Sequence, residues 1–165
     1  MLFRSGRRQD QMIIDAMTAS STSLTVSNDI GGSDTNLNVA KLREAKRLLD
    51  KGNVDPGDRH IVIHANSLAS LLSETAVTSS DFNSVKALVQ GDINTFLGFQ
   101  FHVMGDRSEG GLAIDGSNDR TVWAFHKSAI GYGEGIGMRT EINYIPEKTS
   151  WLVNEVFSAG AIAID

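Results

Sequence analysis

The run from Gly131 to Gly137, in which every second residue is glycine, comes nearest in this sequence to a phosphate-binding loop. Glycine-rich loops hold phosphates because their backbone N–H groups can approach the anion closely. The dinucleotide fingerprint G-x-G-x-x-G is not completed, since Ile136, Met138 or Thr140 stands in the place of the third glycine. The run also leads into strand-like sequence, where that fingerprint needs a helix. Alternating glycines instead leave one face of an extended segment bare, which predicts a structural role or close approach by a neighbouring subunit.

Histidines are the next candidates, as metal ligands or as acid–base groups. His60 and His64 are four residues apart, but Ile61 to Ile63 between them reads as a buried strand. On a strand, four residues span about 13 Å, which is too far for both rings to bind one ion. His102 and His126 fall on separate predicted strands, and the sequence does not show that they meet. Each histidine is expected to be an ordinary surface or core residue.

Hydroxyl nucleophiles and loop carboxylates give no recognisable site. None of the serines stands in a G-x-S-x-G elbow, so the sequence does not support acyl transfer. Four aspartates lie in or beside glycine-rich loops: Asp29, Asp34, Asp115 and Asp119. They lack the alternating ligands and terminal glutamate of a calcium loop, so solvated turns are expected there. The absence of cysteine excludes disulfides, thiolate metal sites and cysteine nucleophiles.

Helical elements are predicted wherever apolar residues recur at three- and four-residue intervals. One helix covers residues 9–17 and ends near Thr18. A second runs over residues 39–51, with Asn38 as its N-cap and Gly52 at its end. Asn66 is predicted to cap a third helix, which buries Leu68, Leu71 and Leu72. A fourth short helix carries Val85, Leu88 and Val89 on one stripe and stops at Gly91.

Strands are predicted over residues 59–64, 99–104, 120–126, 139–145 and 151–164, the last two forming a hairpin around Pro146 to Lys148. After Gly98, Phe99, Phe101 and Val103 share one face, and Gln100, His102 and Met104 share the other. Residues 18–27 are compatible with a short strand or an extended arm, and residues 28–38 and 109–118 with loops. The core is expected to include Trp123, Trp151 and Phe157, with an interface role for Trp151 as the alternative.

Composition limits the classes of function. The chain has 165 residues, enough for one domain or one and a half, and carries a net charge of −5. This acidic balance disfavours non-specific binding of nucleic acid, and Arg4, Arg7 and Arg8 are too few to reverse it. No apolar run reaches the roughly 20 residues that span a bilayer, so no membrane partner is expected. Because Met1 opens almost directly onto helical sequence, the chain reads as part of a longer protein.

Four passages together resemble the major capsid proteins of tailed bacteriophages or prophages. They are RRQDQMIIDAM, similar to the end of the family's long helix; VAKLREAKRLLDKGNVDPGDRHIVIH, similar to a helix, turn and strand of its axial domain; the following residues 66–74; and ALVQGDINTFLGFQFHV, which precedes a strand of the central domain. The resemblance covers nearly the whole chain. Its missing elements are the N-terminal arm and the extended loop, so the chain resembles a C-terminal fragment.

The resemblance implies an α+β capsid fold with two parts. A peripheral domain holds the long helix and a long-stranded sheet, here residues 1–26 and 139–165. An axial domain, residues 27–138, has a central sheet flanked by helices. The implied function is a structural, non-enzymatic subunit that self-assembles into pentameric and hexameric capsomers of an icosahedral head, without cofactors or metals.

The implied partners are other copies of the chain, a scaffolding protein, a portal, and packaged DNA that is enclosed without sequence-specific binding. The implied location is the virion, with assembly in the host bacterial cytoplasm. Nine residues are candidates for the subunit interface: Arg4, Arg7, Arg8, Gly131, Gly133, Gly135, Arg139, Glu141 and Trp151.

Two alternatives stay open at this point. One is an encapsulin-like compartment shell with the same fold, which would hold cargo enzymes in place of DNA. The other is a small α+β hydrolase or ligand-binding domain, which would require His102 and His126 to converge with a carboxylate in a pocket.

Overall fold

The computed structural model describes residues 2–20, 24–33, 35–74, 95–107, 110–115 and 119–164. Within these residues the chain forms three α-helices, a four-stranded sheet and a two-stranded sheet. The helices are α1 (Leu2–Ala19), α2 (Val39–Lys51) and α3 (Ala65–Ser73). The strands are β1 (Arg59–His64), β2 (Thr95–Phe96), β3 (Phe99–Met104), β4 (Trp123–His126), β5 (Ile130–Ile145) and β6 (Ser150–Ala163). Separate helices and mixed sheets confirm the α+β prediction.

The four-stranded sheet has the order β2-β3-β1-β4. Its central strand β1 is parallel to β3 and antiparallel to β4. Strands β2 and β3 form a tight hairpin through Leu97 and Gly98, which have φ angles of 53° and 87°. Positive φ at both central residues is typical of the turns that match the twist of a two-residue hairpin. This turn sets the alternation of β3, on which Phe99 and Phe101 are buried.

One face of this sheet packs on α2 and α3. Ile61 and Ile63 of β1 project to this face and join Leu42 of α2 and Leu71 of α3 in one cluster, all at most 1% exposed. Phe99 of β3 is completely buried in the same cluster. Full burial of side chains of this size contributes about 1.5–3 kcal/mol each. This cluster is therefore the main hydrophobic core.

The opposite face of the sheet packs on α1. Ile14 and Met17 of the helix meet Val62 of β1, and Met104 and Leu112 complete the buried cluster. Val103 lies on the same face of β3 as the two phenylalanines, as predicted, because it is the register partner of Ile63, but it is 48% exposed near the end of the strand. The sheet is thus covered by helices on both faces.

A buried glutamine fastens α1 to the loop beside the sheet. The Gln11 side chain is 3% exposed and forms a clamp on Gly111: the Gly111 N–H donates to Oε1 at 2.7 Å, and Nε2 donates to the Gly111 carbonyl at 3.2 Å. Nε2 also donates to Asp15 Oδ1 at 2.8 Å. On the same helix, Asp10 is paired with Arg107 at 3.0 Å. The contact between α1 and the sheet therefore has a polar as well as an apolar component.

Helix boundaries agree with the sequence prediction for α2, but they differ at the N-terminus of α1 and at the cap of α3. Helix α2 matches its predicted bounds, and Asn38 accepts from the Lys41 N–H as its N-cap. Helix α1 begins earlier than residue 9 and ends at Ala19, where the Thr18 hydroxyl donates to the Ile14 carbonyl and remains helical. The prediction that Asn66 caps α3 is wrong. His64 is the N-cap, because its Nδ1 accepts from the Asn66 N–H and α3 follows β1 without a loop.

Strand boundaries differ mainly on the N-terminal side. The strand predicted from residue 120 is shorter in the structure. Strand β4 begins at Trp123, and Arg120 forms only an isolated bridge with Ile114. The hairpin strand predicted from residue 139 begins at Ile130, so the glycine run is part of β5. Residues 24–27 form no strand, and Leu24 is 70% exposed. The helix predicted to carry Val85, Leu88, Val89 and Gly91 lies outside the described residues.

Candidate subunit interface

Strands β5 and β6 form a long antiparallel ribbon, which is joined at its tip by a short 3-10 turn over Pro146–Lys148. The register shifts twice along β5, between Glu134 and Ile136 and between Ile136 and Arg139. At each shift the longer strand accommodates an extra residue, as in a β-bulge. Strand β6 keeps its alternation throughout, so it defines the two faces of the ribbon.

Helix α1 covers the part of one ribbon face that lies nearest the sheet. This face carries three alanines of β6, Ala159, Ala161 and Ala163. On β5, Ile130 is the register partner of Ala163, and Tyr132 is the register partner of Ala161. Small side chains let the helix approach closely: Ala16 and Ala19 line a shallow depression with Ala161 and Ala163. This end of the ribbon is therefore held against the rest of the subunit.

A hydrogen-bonded cluster secures the same contact further along the ribbon. Gln9 Nε2 of α1 and the Tyr132 hydroxyl both donate to Glu134 Oε1, each at 3.0 Å. Desolvation, followed by the hydrogen bond to Glu134, raises the pKa of Tyr132 above its usual value. The phenol is thus a donor at neutral pH.

Near the tip of the ribbon the same face carries exposed apolar side chains. The four residues that we call the distal apolar face form two register pairs, Ile142 with Val153 and Tyr144 with Trp151. They are 61%, 44%, 48% and 68% exposed, and the rings of Tyr144 and Trp151 lie 5.1 Å apart. The prediction that Trp151 belongs to the core is wrong, because its side chain is 68% exposed. Contiguous exposed apolar side chains of this kind are typical of interaction surfaces.

The other face of the distal ribbon is more polar. Arg139 and Glu141 share this face and form an exposed ion pair of 3.0 Å. Asn143 and Asn154 lie on it too, although Leu152 is 47% exposed there. An exposed pair of this type contributes little to stability, about 0–1 kcal/mol. The ribbon is thus amphipathic, with its larger apolar surface on the side that α1 covers only in part.

The predicted glycines lie on the face of the ribbon that points away from α1. A side chain added at Gly133 would meet no atom within 4 Å, whereas one at Gly131 would lie 3.2 Å from the Ile164 side chain. Gly135 lies beside Ser158 at the first register shift. Only Gly133 of these three therefore leaves open surface, next to its equally bare register partner Gly160.

The three predicted arginines lie in the first half of α1. Arg7 and Arg8 are exposed, and the Arg4 side chain lies outside the described part of the structure. Among the described side chains, Arg7 and Arg8 form no ion pair with Glu141, whose partner is Arg139. The nine predicted residues thus fall into a helix group, a glycine group and a distal ribbon group.

The geometry contradicts the site required by the hydrolase alternative. His102 of β3 is the register partner of Val62 on the α1 face of the sheet, whereas His126 of β4 is opposite Arg59 on the other face. His126 Nδ1 instead accepts from the Ser128 N–H at 3.2 Å and contacts the Ser128 hydroxyl at 2.7 Å. The described residues contain no group of three or more histidines and carboxylates placed to hold a metal ion.

Sequence reasoning missed most of the distal apolar face, since Ile142, Tyr144 and Val153 were not among its interface candidates. Their alternation with polar residues along β5 and β6 was the available signal, but it does not reveal whether a helix covers the apolar side. Among the described residues, no helix is both long and apolar enough to cross a bilayer.

Comparisons with known proteins identify one family from the sequence and two solved structures with a similar fold. The family model for phage capsid protein matches residues 2–165. A search of curated proteins found no match. A structure from Mycobacterium phage Che8 is similar over 98% of this chain, with a TM-score of 0.67 and 21% identity. The capsid structure of the cyanophage P-SCSP1u is similar over the same share, with a TM-score of 0.59 and 15% identity.

This chain spans 57% and 59% of the length of those two structures, respectively. At these identities the structural likeness establishes the fold, which confirms the predicted capsid architecture. The match of the family model over nearly every residue establishes the family. The chain belongs to the phage capsid protein family.

Proposed function

We propose that this chain is the shell-forming part of a major capsid subunit, which self-assembles through its ribbon into the capsomers of an icosahedral head. Family membership supports a structural role in a virion. The observation that carries the proposal is the distal apolar face, where four large side chains remain 44–68% exposed.

The energetics of the ribbon favour a partner on this face. A two-stranded hairpin is only marginally stable by itself in water. Burying the exposed parts of four large apolar side chains would contribute about 1–2 kcal/mol each, given 1.5–3 kcal/mol for a fully buried one. We propose a second copy of the chain as the partner, because a shell built from one subunit repeats each contact many times. Weak individual contacts then suffice for a stable assembly.

The division into domains is part of this proposal. Residues 27–138 would form the axial domain around the four-stranded sheet, and residues 1–26 and 139–165 the peripheral domain. The contacts of α1 with both β6 and β5 support a peripheral unit of helix and ribbon. Strand β5 starts at Ile130, so the chain would pass from one domain to the other within a strand.

Partners beyond the shell follow from the same proposal. Pentameric and hexameric capsomers would enclose packaged DNA, and the net charge of −5 favours enclosing DNA without gripping it. A scaffolding protein and a portal would take part in assembly in the host cytoplasm. The exposed Arg7 and Arg8 are proposed to meet carboxylates of a neighbouring subunit. The phage capsid match does not favour a compartment shell for enzymes.

Matched substitutions on the two ribbon faces test the proposal. Ile142→Thr with Trp151→Thr makes the distal apolar face polar while keeping strand-forming residues. Asn143→Thr with Asn154→Thr is the control on the opposite face. Sedimentation velocity of the complete gene product should show assemblies for the wild type and the control, and small species for the apolar-face variant. Assembly of that variant at the wild-type level would contradict the proposal.

A folding check separates lost assembly from lost structure. Each variant should retain the far-ultraviolet circular dichroism of the wild type, since none of the four residues contacts the core clusters. The single variant Trp151→Thr replaces the most exposed residue of the distal apolar face. It should also weaken assembly.

A further inference from the structure

Two histidines meet on the exposed part of the four-stranded sheet, apart from the ribbon. His60 of β1 and His102 of β3 lie on neighbouring parallel strands and on the same face. His60 Nδ1 and His102 Nε2 are joined by a hydrogen bond of 3.0 Å, in which the tautomers decide which ring donates, and the ring centroids are 5.2 Å apart. The His60 ring also lies 5.8 Å from that of Phe125 on β4, which limits its freedom on the other side.

We infer that His60 and His102 form a two-histidine site for a divalent transition metal, with Cu²⁺ or Ni²⁺ as the preferred ion. Imidazole nitrogens bind such ions at about 2.0–2.1 Å, so two ligands at right angles lie about 3.0 Å apart. The two nitrogens are 3.0 Å apart in the structure. A tetrahedral ion such as Zn²⁺ would need them about 3.3 Å apart. The pair therefore fits adjacent corners of a square-planar or octahedral ion.

The pair is accessible to solvent. His102 is exposed and His60 half-buried, so water can complete the coordination of the ion. Burial, and then the proximity of His102, lowers the pKa of His60 from its usual value. Nearby charges act in both directions, since Asp58 attracts a cation whereas Lys127 and His126 repel one. Deprotonated imidazole is the form that binds metal.

Rigid strand pairing pre-organises the pair. Five consecutive register partners join β1 to β3, and the pair lies within this stretch. A metal ion bound to both rings would therefore link two strands that are far apart in sequence, and would stabilise the folded sheet by mass action.

Calorimetric titration of the untagged protein with Ni²⁺ tests the inference. The wild type should bind one ion per chain, and His60→Gln and His102→Gln should each weaken binding at least about tenfold, since loss of even an outer-shell partner costs 10–100-fold. His126→Gln, on the opposite face of the sheet, should bind like the wild type. Equal binding by the wild type and His102→Gln, or the absence of saturable binding, would overturn the inference.

Electron paramagnetic resonance of the Cu²⁺-loaded protein gives a second readout. Coupling to two imidazole nitrogens in the wild type and to one in His102→Gln supports the site. A single nitrogen in the wild type would refute it. Because His102 is exposed, its replacement should leave the circular dichroism spectrum unchanged, so a changed metal signal reports on the ligand and not on folding.

Discussion

The Gln11 clamp should be the polar contact on which the docking of α1 depends most. Gln11→Met keeps the length of the side chain but removes both partners of Gly111, whose N–H and carbonyl are buried. A buried backbone group without a partner costs about 1–3 kcal/mol. Asp15 also loses a donor, but it is exposed and can bind water instead. Because Gly110 beside the clamp is exposed and water can partly replace one bond, we expect a loss of about 2–4 kcal/mol.

Urea unfolding followed by tryptophan fluorescence measures this loss, at a protein concentration where sedimentation shows no assembly. For a chain of this size the midpoint of thermal unfolding should fall by roughly 4–16 °C. Gln9→Met is the matched control two residues earlier on the same helix, where the amide bonds an exposed Glu134. It should cost no more than about 0.5 kcal/mol. A loss below about 1 kcal/mol for Gln11→Met, or equal losses for both variants, would refute the reasoning.

Three further predictions concern stability. Arg59→Met should lower the free energy of unfolding in urea by about 2–4 kcal/mol. The guanidinium is 2% exposed and donates to Asp50 Oδ1 at 2.7 Å and to the Asp55 carbonyl at 2.8 Å. A loss below about 1 kcal/mol would contradict this. Asn38→Ala should cost about 2–3 kcal/mol, because it removes the α2 cap and the two bonds that the buried side-chain amide donates, to the Ile30 carbonyl at 2.7 Å and to the Thr35 hydroxyl at 3.1 Å. Asn38→Ser keeps a capping oxygen and should restore about 1 kcal/mol of this loss; equal values for the two variants would argue against a cap. The pKa of His60 is lowered in the folded state. Below about pH 6.5 the unfolded state therefore binds more protons than the folded state, and the free energy of unfolding should fall from about pH 7 to pH 5. His60→Gln should make the free energy of unfolding less dependent on pH. An unchanged dependence would show that His60 is not its cause.

Local elements could be predicted from the sequence where local chemistry decides them. Helix α2 has an asparagine cap, an apolar stripe and a terminal glycine, and its predicted bounds match the structure. Strand β1 is a short apolar run between a turn and a helix, and it also matches. The cap of α3 was predicted at the wrong residue because β1 and α3 share a junction, where a histidine ring takes the usual role of asparagine or serine.

Long-range relations could not be predicted in this way. The pairing of β1 with both β3 and β4 depends on the register of strands separated by about 40 to 60 residues, which periodicity does not encode. The meeting of His60 with His102 and the separation of His126 both follow from that register. The exposure of Trp151 depends on how far α1 extends over the ribbon, which no local pattern reveals.

Assembly of the complete gene product is the most direct test of the central claim, that this chain is the shell-forming part of a self-assembling capsid subunit. Negative-stain electron microscopy should be made of that product, expressed with and without its neighbouring genes. Our account predicts closed shells, or rings of five and six subunits, which the Ile142→Thr, Trp151→Thr variant fails to form. Monodisperse monomers of the wild-type product under every condition would contradict it.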